Sequence, residues 1–150
     1  MAYKSGKDCK VKLGTNTVVG IGDWSITGIT ADQMDSSAMG DNWKTFEFGM
    51  KDGGTISFSG IADPADTTGQ ETLQLANLAN TDLTTLRLYI DDTSYYVQCQ
   101  TTGYFSPTNT TGIDTVLSHV NVTSYDITAD KADLVKVSFT AKVSGCMVLV

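Results

Sequence analysis

The sequence predicts a mostly β fold: an antiparallel sandwich or partly open barrel with one α-helix packed on it. Three observations carry this. Val135, Val137, Phe139, Ala141 and Val143 alternate with Lys136, Ser138, Thr140 and Lys142, the period-two pattern of a half-buried strand. Threonine is abundant and proline occurs only twice in 150 residues, which together with Val, Ile, Tyr and Phe favours sheet. Only the segment after Asp66 carries a convincing helical pattern. The length fits one domain, residues 1–150, able to bury a core. Hydrophobic content of 41% and charge of 18% fit a folded chain.

The elements follow in order. Lys4, Lys7, Lys10 and Lys12 mark a basic N-terminal stretch, of which residues 1–8 or so are expected to be a flexible arm. Val11 and Leu13, then Val18, Val19 and Ile21, flank Gly14-Thr15-Asn16-Thr17 and predict a hairpin or tight turn. Ile26 and Ile29 mark a second short strand region. Residues 30–42 are small, polar and aperiodic, and predict a long loop of the kind that carries function or disorder.

Phe46, Phe48 and Met50 alternate with polar neighbours, as do Ile56 and Phe58, with Lys51-Asp52-Gly53-Gly54 between them. This predicts a hairpin of two half-buried strands. Asp66 or Thr67 is placed to cap a helix running to about Asn80, with Leu75, Leu78 and Ala79 on one face and Leu73 and Ala76 beside it. Leu86, Leu88 and Ile90 predict a strand, residues 91–94 a turn, and Tyr95, Val97 and Cys99 (or the set containing Tyr96) its return. A loop carries Pro107 between Gly103 and Gly112. Val116, Ser118, Val120 and Val122 then lead to the strand at 135–143.

The net charge of −7 argues against a protein that grips nucleic acid, because phosphate neutralisation needs a basic footprint. Between Asp23 and Asp92 twelve acids face only Lys44, Lys51 and Arg87. Cys9, Cys99 and Cys146 are odd in number and lack the spacing of a zinc site or a disulfide framework. No apolar window suggests a secretory signal or a membrane span. The apolar end at 146–150 puts its cysteine one place too far in for prenylation, and the sequons at Asn109 and Asn121 carry little weight without a signal.

No catalytic, cofactor or metal site is expected. His119 is the sole histidine. Gly20-Ile21-Gly22 lacks the third glycine of a dinucleotide loop, and no nucleophile elbow is present. Asp63, Asp66, Asp91 and Asp92 invite a calcium or paired-acid reading, but capping and turn formation explain them better. Trp24 and Trp43 suit either the edge of the core or a subunit contact, Trp43 more the latter because it leaves the polar loop.

The order of several short motifs adds a resemblance. Trp24-Ser25-Ile26-Thr27-Gly28-Ile29-Thr30 precedes the polar loop. Then come Trp43, Phe46, Gly49, Asp52 and Gly54 at the spacing W-x-x-F-x-x-G-x-x-D-x-G, a strand ending at Gly60, Asp63-Pro64-Ala65-Asp66 and Gln70. A second match runs from Leu134 to Gly145. Together these cover roughly a third of the chain. The pattern resembles the tail tube (major tail) proteins of long-tailed, lambda-type bacteriophages.

The resemblance implies hexameric rings stacked into a hollow tube, each subunit giving strands to one inner barrel. Four strands from each of six subunits, at about 4.8 Å spacing and about 40° tilt, would make a wall about 150 Å around and about 48 Å across, or roughly 35–40 Å clear. That passes a DNA duplex without holding it. Expected partners are copies of the chain itself, other tail proteins at the tube ends, and double-stranded DNA in transit without tight binding; no membrane and no cofactor are implied. Expected locations are the virion tail and, during assembly, the host cytoplasm. No added immunoglobulin-like domain is expected. Asp35, Met39, Asp41, Trp43, Lys4 and Lys7 are the expected subunit contacts, the lysines docking on an acidic neighbour. Glu47, Thr55, Ser57 and Ser59, on the side of the 46–59 hairpin away from the core, are the expected lumen face, an intersubunit face being the alternative for that side. A gene transfer agent or phage-derived bacteriocin would fit equally. A tail terminator or head–tail joining protein, or a carbohydrate-binding sandwich using Tyr95, Tyr96, Tyr104 and Phe105, are the alternatives.

Overall fold

The computed structural model describes residues 3–99 and 118–149. Every ladder between its strands is antiparallel. One sheet has the order β11-β8-β7-β1-β2 and the other β3-β6-β10-β9. The first uses β1 (Lys10–Leu13), β2 (Asn16–Thr17), β7 (Leu86–Tyr89), β8 (Tyr95–Gln98) and β11 (Met147–Leu149). The second uses β3 (Ile21–Thr27), β6 (Thr55–Ile61), β9 (His119–Thr128) and β10 (Lys136–Ser144). The two sheets are not closed into a barrel. They form a sandwich, as expected, with the core between them: Val11, Leu86 and Leu88 from one, Ile56, Phe58, Val137 and Phe139 from the other. Phe58 and Phe139 stack at 5.2 Å between ring centroids. Trp24 ties the layers, its Nε1 donating to the Tyr89 carbonyl at 3.0 Å.

Strand β10 keeps the predicted alternation along its length, since one face meets the core and the other does not. The turn at 91–94 forms because Asp91 Oδ1 accepts the N–H groups of Thr93 and Ser94 at 2.8 and 2.7 Å. The expected loop around Pro107 and the residue Val116 lie outside the described residues. The apolar end, unassigned from sequence, contributes the short β11.

Helix α1 (Gln70–Leu78) packs on β9 but is rotated from the expected face. Gln70, Leu73 and Ala76 are buried, while Leu75 and Leu78 are exposed. The cause lies at the N-terminus. Gln70 Nε2 donates to the Val19 and Ile61 carbonyls at 2.6 and 2.8 Å, and its Oε1 accepts the Asp63 N–H at 2.9 Å. That anchor turns the 70/73/76 stripe inward. Asp66 caps the helix from outside its first turn, accepting from Gly69 and Gln70 at 3.1 Å each.

The hairpin expected from Phe46 to Phe58 does not form. A strand has two edges, and both edges of β6 are taken, by β3 and β10. Strand β5 (Phe46–Asp52) pairs instead with β4 (Thr30–Asp35), in a separate two-stranded sheet. The long loop expected at 30–42 therefore begins with six residues of strand. Gly53 and Gly54 carry the chain from one sheet to the other. Gly54 has φ +91°, and a Cβ there would lie 2.6 Å from the Thr27 carbonyl oxygen.

Candidate functional site

The outer face of the four-stranded sheet is built from small hydroxyl side chains. Register pairs Ser57 with Ser25 and Thr140, and Ser59 with Asp23 and Ser138. Ser124 and Asp126 of β9 continue the rows beyond Thr140 and Ser138. Two shallow depressions, of about 490 and 380 Å³, run across this surface. The lysines at its ends are paired within the chain, Lys142 with Asp52 at 2.6 Å and Lys136 with Asp133 at 3.2 Å. The middle of the face is thus polar, weakly acidic and free of unpaired cations among the described residues. Thr55, Ser57 and Ser59 share this face as expected. Glu47 does not, because β5 belongs to another sheet.

The β4–β5 hairpin is apolar and exposed. Phe46, Phe48 and Met50 are 52%, 73% and 83% exposed, Trp43 85% and Met39 fully. Cross-strand pairing sets Phe46 beside Asp35 and Phe48 beside Gln33 on one face, and Met34 beside Glu47 on the other. Phe46, Phe48 and Met50 were expected in the core, and none reaches it. Local order is nevertheless high: Asp35 Oδ1 accepts the Ser37 N–H at 2.9 Å, Asp41 Oδ2 accepts the Ala38 N–H at 2.7 Å, and Ser36 and Thr45 hydroxyls meet at 3.0 Å. The Ser37 hydroxyl and N–H hold the Asp35 carboxyl below its ordinary range. The hairpin is a built surface whose large apolar side chains stay exposed.

Its base lies at the Thr27, Thr55 and Lys142 end of the four-stranded sheet. The opposite end carries a second apolar group: Ile61, Ile127, Leu134 and Val135 are 46%, 52%, 60% and 40% exposed. Sequence alone could not separate these from core residues, since apolar character is the same in both places.

The expected basic arm folds onto its own chain. Lys4 pairs with Asp91 and Lys10 with Asp92, both at 2.9 Å. Lys10 and Lys12 also lie over the Tyr89 ring, at 5.2 and 5.1 Å. The Lys4 ammonium, with the Thr93 and Ser94 N–H groups, drives the Asp91 carboxyl far below its ordinary range. Lys7 is exposed and donates its N–H to Ser5 Oγ at 3.4 Å. Trp24 is bound into the sandwich and Trp43 is not.

The groups considered for chemistry are occupied structurally. Asp63 accepts the Ala65 N–H, Asp66 caps α1, and Asp91 and Asp92 hold lysines. His119 faces Asp82 at 3.8 Å. Of the aromatics in the carbohydrate-binding alternative, Tyr95 packs on Tyr89 and Tyr96 on Trp24, both half-buried; Tyr104 and Phe105 lie outside the described residues. Among the described residues no three His, Cys, Asp or Glu side chains form a metal site, and no helix is long and apolar enough to cross a membrane.

No family model matches the chain, and no curated protein matches it. Solved structures do. A chain of the virion of a native gene transfer agent particle is 16% identical, with 99% of each chain covered and a TM-score of 0.71. The tail of an empty gene transfer agent particle, of C6 symmetry, gives 16% identity, the same coverage and a TM-score of 0.70. The tube-terminating cap of an anti-feeding prophage gives 12% identity over the whole of this chain and 92% of that one, with a TM-score of 0.54. At these identities the likeness shows the fold. The fold implied by the tail tube resemblance is the fold observed.

Proposed function

We propose that the chain is the repeating structural subunit of a virion tail tube. Copies join side by side into rings, six to a ring, and the rings stack into a hollow tube through which the genome leaves. The observation that carries this is the exposed β4–β5 hairpin. A folded hairpin holding Trp43, Phe46, Phe48 and Met50 in water is a surface awaiting a partner.

The partner is another copy. The hairpin projects from one end of the sheet, and the Ile61, Ile127, Leu134 and Val135 group occupies the other. Unlike ends that meet head to tail repeat along one axis and give an open filament. Side by side, β3 and β9 are the two edges of the four-stranded sheet. Leu83 and Asn77 already cover the β9 edge at Val120 and Val122, so joining β3 of one copy to the rest of β9 in the next closes the ring and removes the open edges. Four strands from each of six copies make the wall described above, about 48 Å across, with a bore roughly 35–40 Å clear. The hydroxyl face with Ser25, Ser57, Ser59, Ser138 and Thr140 then lines it. Such a wall offers DNA no cluster of cations, so phosphates gain no grip and the duplex slides. No chemistry is required of the subunit, whose places are the virion tail and, before that, the cytoplasm where tails are built. Asp35, Met39, Asp41 and Trp43 sit at the stacking contact.

Electron microscopy of the purified protein, with and without seeding by preformed ends, tests the reading. Tubes or stacked rings are the expected result. A strictly monomeric species at every concentration and with seeds would sink it. Single rings that never extend would favour a tube terminator instead, the fold being shared with a terminating cap.

A further inference from the structure

We propose that Cys99 and Cys146 are a redox pair, a site at which a disulfide forms and staples the C-terminal strand β11 to β8. The β8–β11 ladder pairs Leu149 with Tyr96, Val148 with Val97 and Met147 with Gln98. Extending that register by one step brings Cys146 beside Cys99, just past the end of the ladder, where the Cys99 N–H donates to the Cys146 carbonyl at 3.2 Å. Directly opposed residues on antiparallel strands have Cα atoms about 4.5–5.5 Å apart, inside the roughly 4.4–6.8 Å range that a disulfide spans.

Ser118 fixes the pair from a third side. Its N–H donates to the Cys99 carbonyl at 3.0 Å, its Oγ accepts the Cys146 N–H at 3.0 Å, and the same Oγ lies 4.0 Å from Cys146 Sγ. The pair is therefore held between the ends of β8 and β11 and Ser118. Gly145, at φ +97°, makes the turn that presents Cys146; a side chain there would strike Ser118. Both thiols are free. Cys99 is buried, and burial with the adjacent Cys146 thiol pushes its pKa up, so it is the slower nucleophile. Cys146 is half-buried and lines an apolar depression with Ile29, Gly53 and Met147 at the base of the hairpin, open to a small reagent. Cys9 sits elsewhere, its thiol donating to the Gly22 carbonyl at 3.2 Å.

The oxidant is a small-molecule disulfide such as oxidised glutathione. The Cys146 thiolate attacks one glutathione sulfur, forms a mixed disulfide and releases one glutathione. The Cys99 thiolate then attacks Cys146 Sγ and releases the second. Two protein thiols become one disulfide, one glutathione disulfide becomes two thiols, and the two protons go to the glutathiones. A tail component built in a reducing cell and released into an oxidising medium would carry the pair open during assembly and closed afterwards. That timing rests on the proposed function; the oxidation does not.

The test is incubation of the folded, full-length protein with oxidised glutathione, then alkylation, intact mass and peptide mapping without reduction. The expected result is one alkylatable thiol in place of three, a Cys99–Cys146 cross-linked peptide, and a Tm about 10 °C higher that dithiothreitol reverses. Cys9→Ser should leave the cross-link intact. Cys146→Ser, at the more exposed position, should abolish it while the protein stays folded. A Cys9-linked dimer, a glutathione adduct that stays on Cys146, or three unchanged thiols in folded protein would each overturn the proposal.

Discussion

Asp66 and Gln70 hold the front of helix α1 to the turn before β3 and to the end of β6 at once. The Asp66 carboxylate accepts the Gln70 N–H at 3.1 Å and the Val19 N–H at 2.9 Å, and the Gln70 amide donates to the Val19 and Ile61 carbonyls. Both side chains are buried, at 7% and 2% exposure. The motif residues Asp63, Asp66 and Gln70 are thus a clasp of the fold rather than a site of chemistry.

Replacing Gln70 with leucine should therefore destabilise the chain strongly. Two part-buried carbonyls and one N–H lose their partner at once, for a cost of about 3 kcal/mol. Urea unfolding should show it as a lower midpoint with an unchanged slope. A cost under about 0.5 kcal/mol would mean that water replaces the amide and that the clasp is ornamental.

What could be read in the sequence follows from what each residue meets. Strand β10 was legible because its core and outer faces differ at every step. The 91–94 turn was legible because Asp91 acts on its own neighbours. Three features were hidden. Phe46, Phe48 and Met50 alternate as core residues do, and only the occupied edges of β6 exclude them from the sheet that holds the core. Strand β4, Thr30–Asp35, has no buried face to impress a pattern on it. Lys4 and Lys10 find their acids more than 80 residues away, a contact that only the folded sandwich brings together. Of the site, the hydroxyl face was legible from β6 alone; its extension to Ser25, Ser138 and Thr140 needed the register.

The hairpin should separate folding from assembly. Phe46→Ser with Phe48→Ser removes two side chains that already face water, so stability should change by no more than about 0.5 kcal/mol. Assembly should be lost, with monomer in sedimentation and no tubes by electron microscopy. Phe139→Ala, 1% exposed in the core, should instead cost about 3–5 kcal/mol. Tubes of normal length from the double serine variant would remove the hairpin from the stacking contact.

Acid should loosen the N-terminal segment. The Asp91 carboxyl is held low first by the Lys4 ammonium and then by the Thr93 and Ser94 N–H groups; Asp52 is held low by Lys142 and the Gly54 N–H. A depressed carboxyl pKa stabilises the fold above the unfolded value near pH 4, and the contribution is lost as pH falls through the folded value. Tm should therefore be flat from about pH 7 to 5 and drop below about pH 4. Asp91→Asn should lower the plateau slightly and flatten the drop. An Asp91→Asn profile parallel to the parent below pH 4 would show that other carboxyls control acid unfolding.

The hydroxyl face gives the sharpest test of the bore. Ser57 and Ser138 lie on neighbouring strands, one register step apart, with side chains away from the core. Ser57→Lys with Ser138→Lys should leave the monomer folded, because both positions face outward and lysine tolerates strand edges and surfaces. In particles carrying the variant, a sixfold ring would gain about twelve cations per layer. Each cation that reaches a phosphate releases a counterion, so the drag on the duplex should be large at low salt and fade as salt rises. Ejection should slow at low ionic strength and recover at high. Glu47→Lys, on the other sheet, should affect stacking rather than ejection rate. Particles of normal length that eject at the parent rate at low salt would place the hydroxyl face outside the bore. The ring would then have to be closed through different strands.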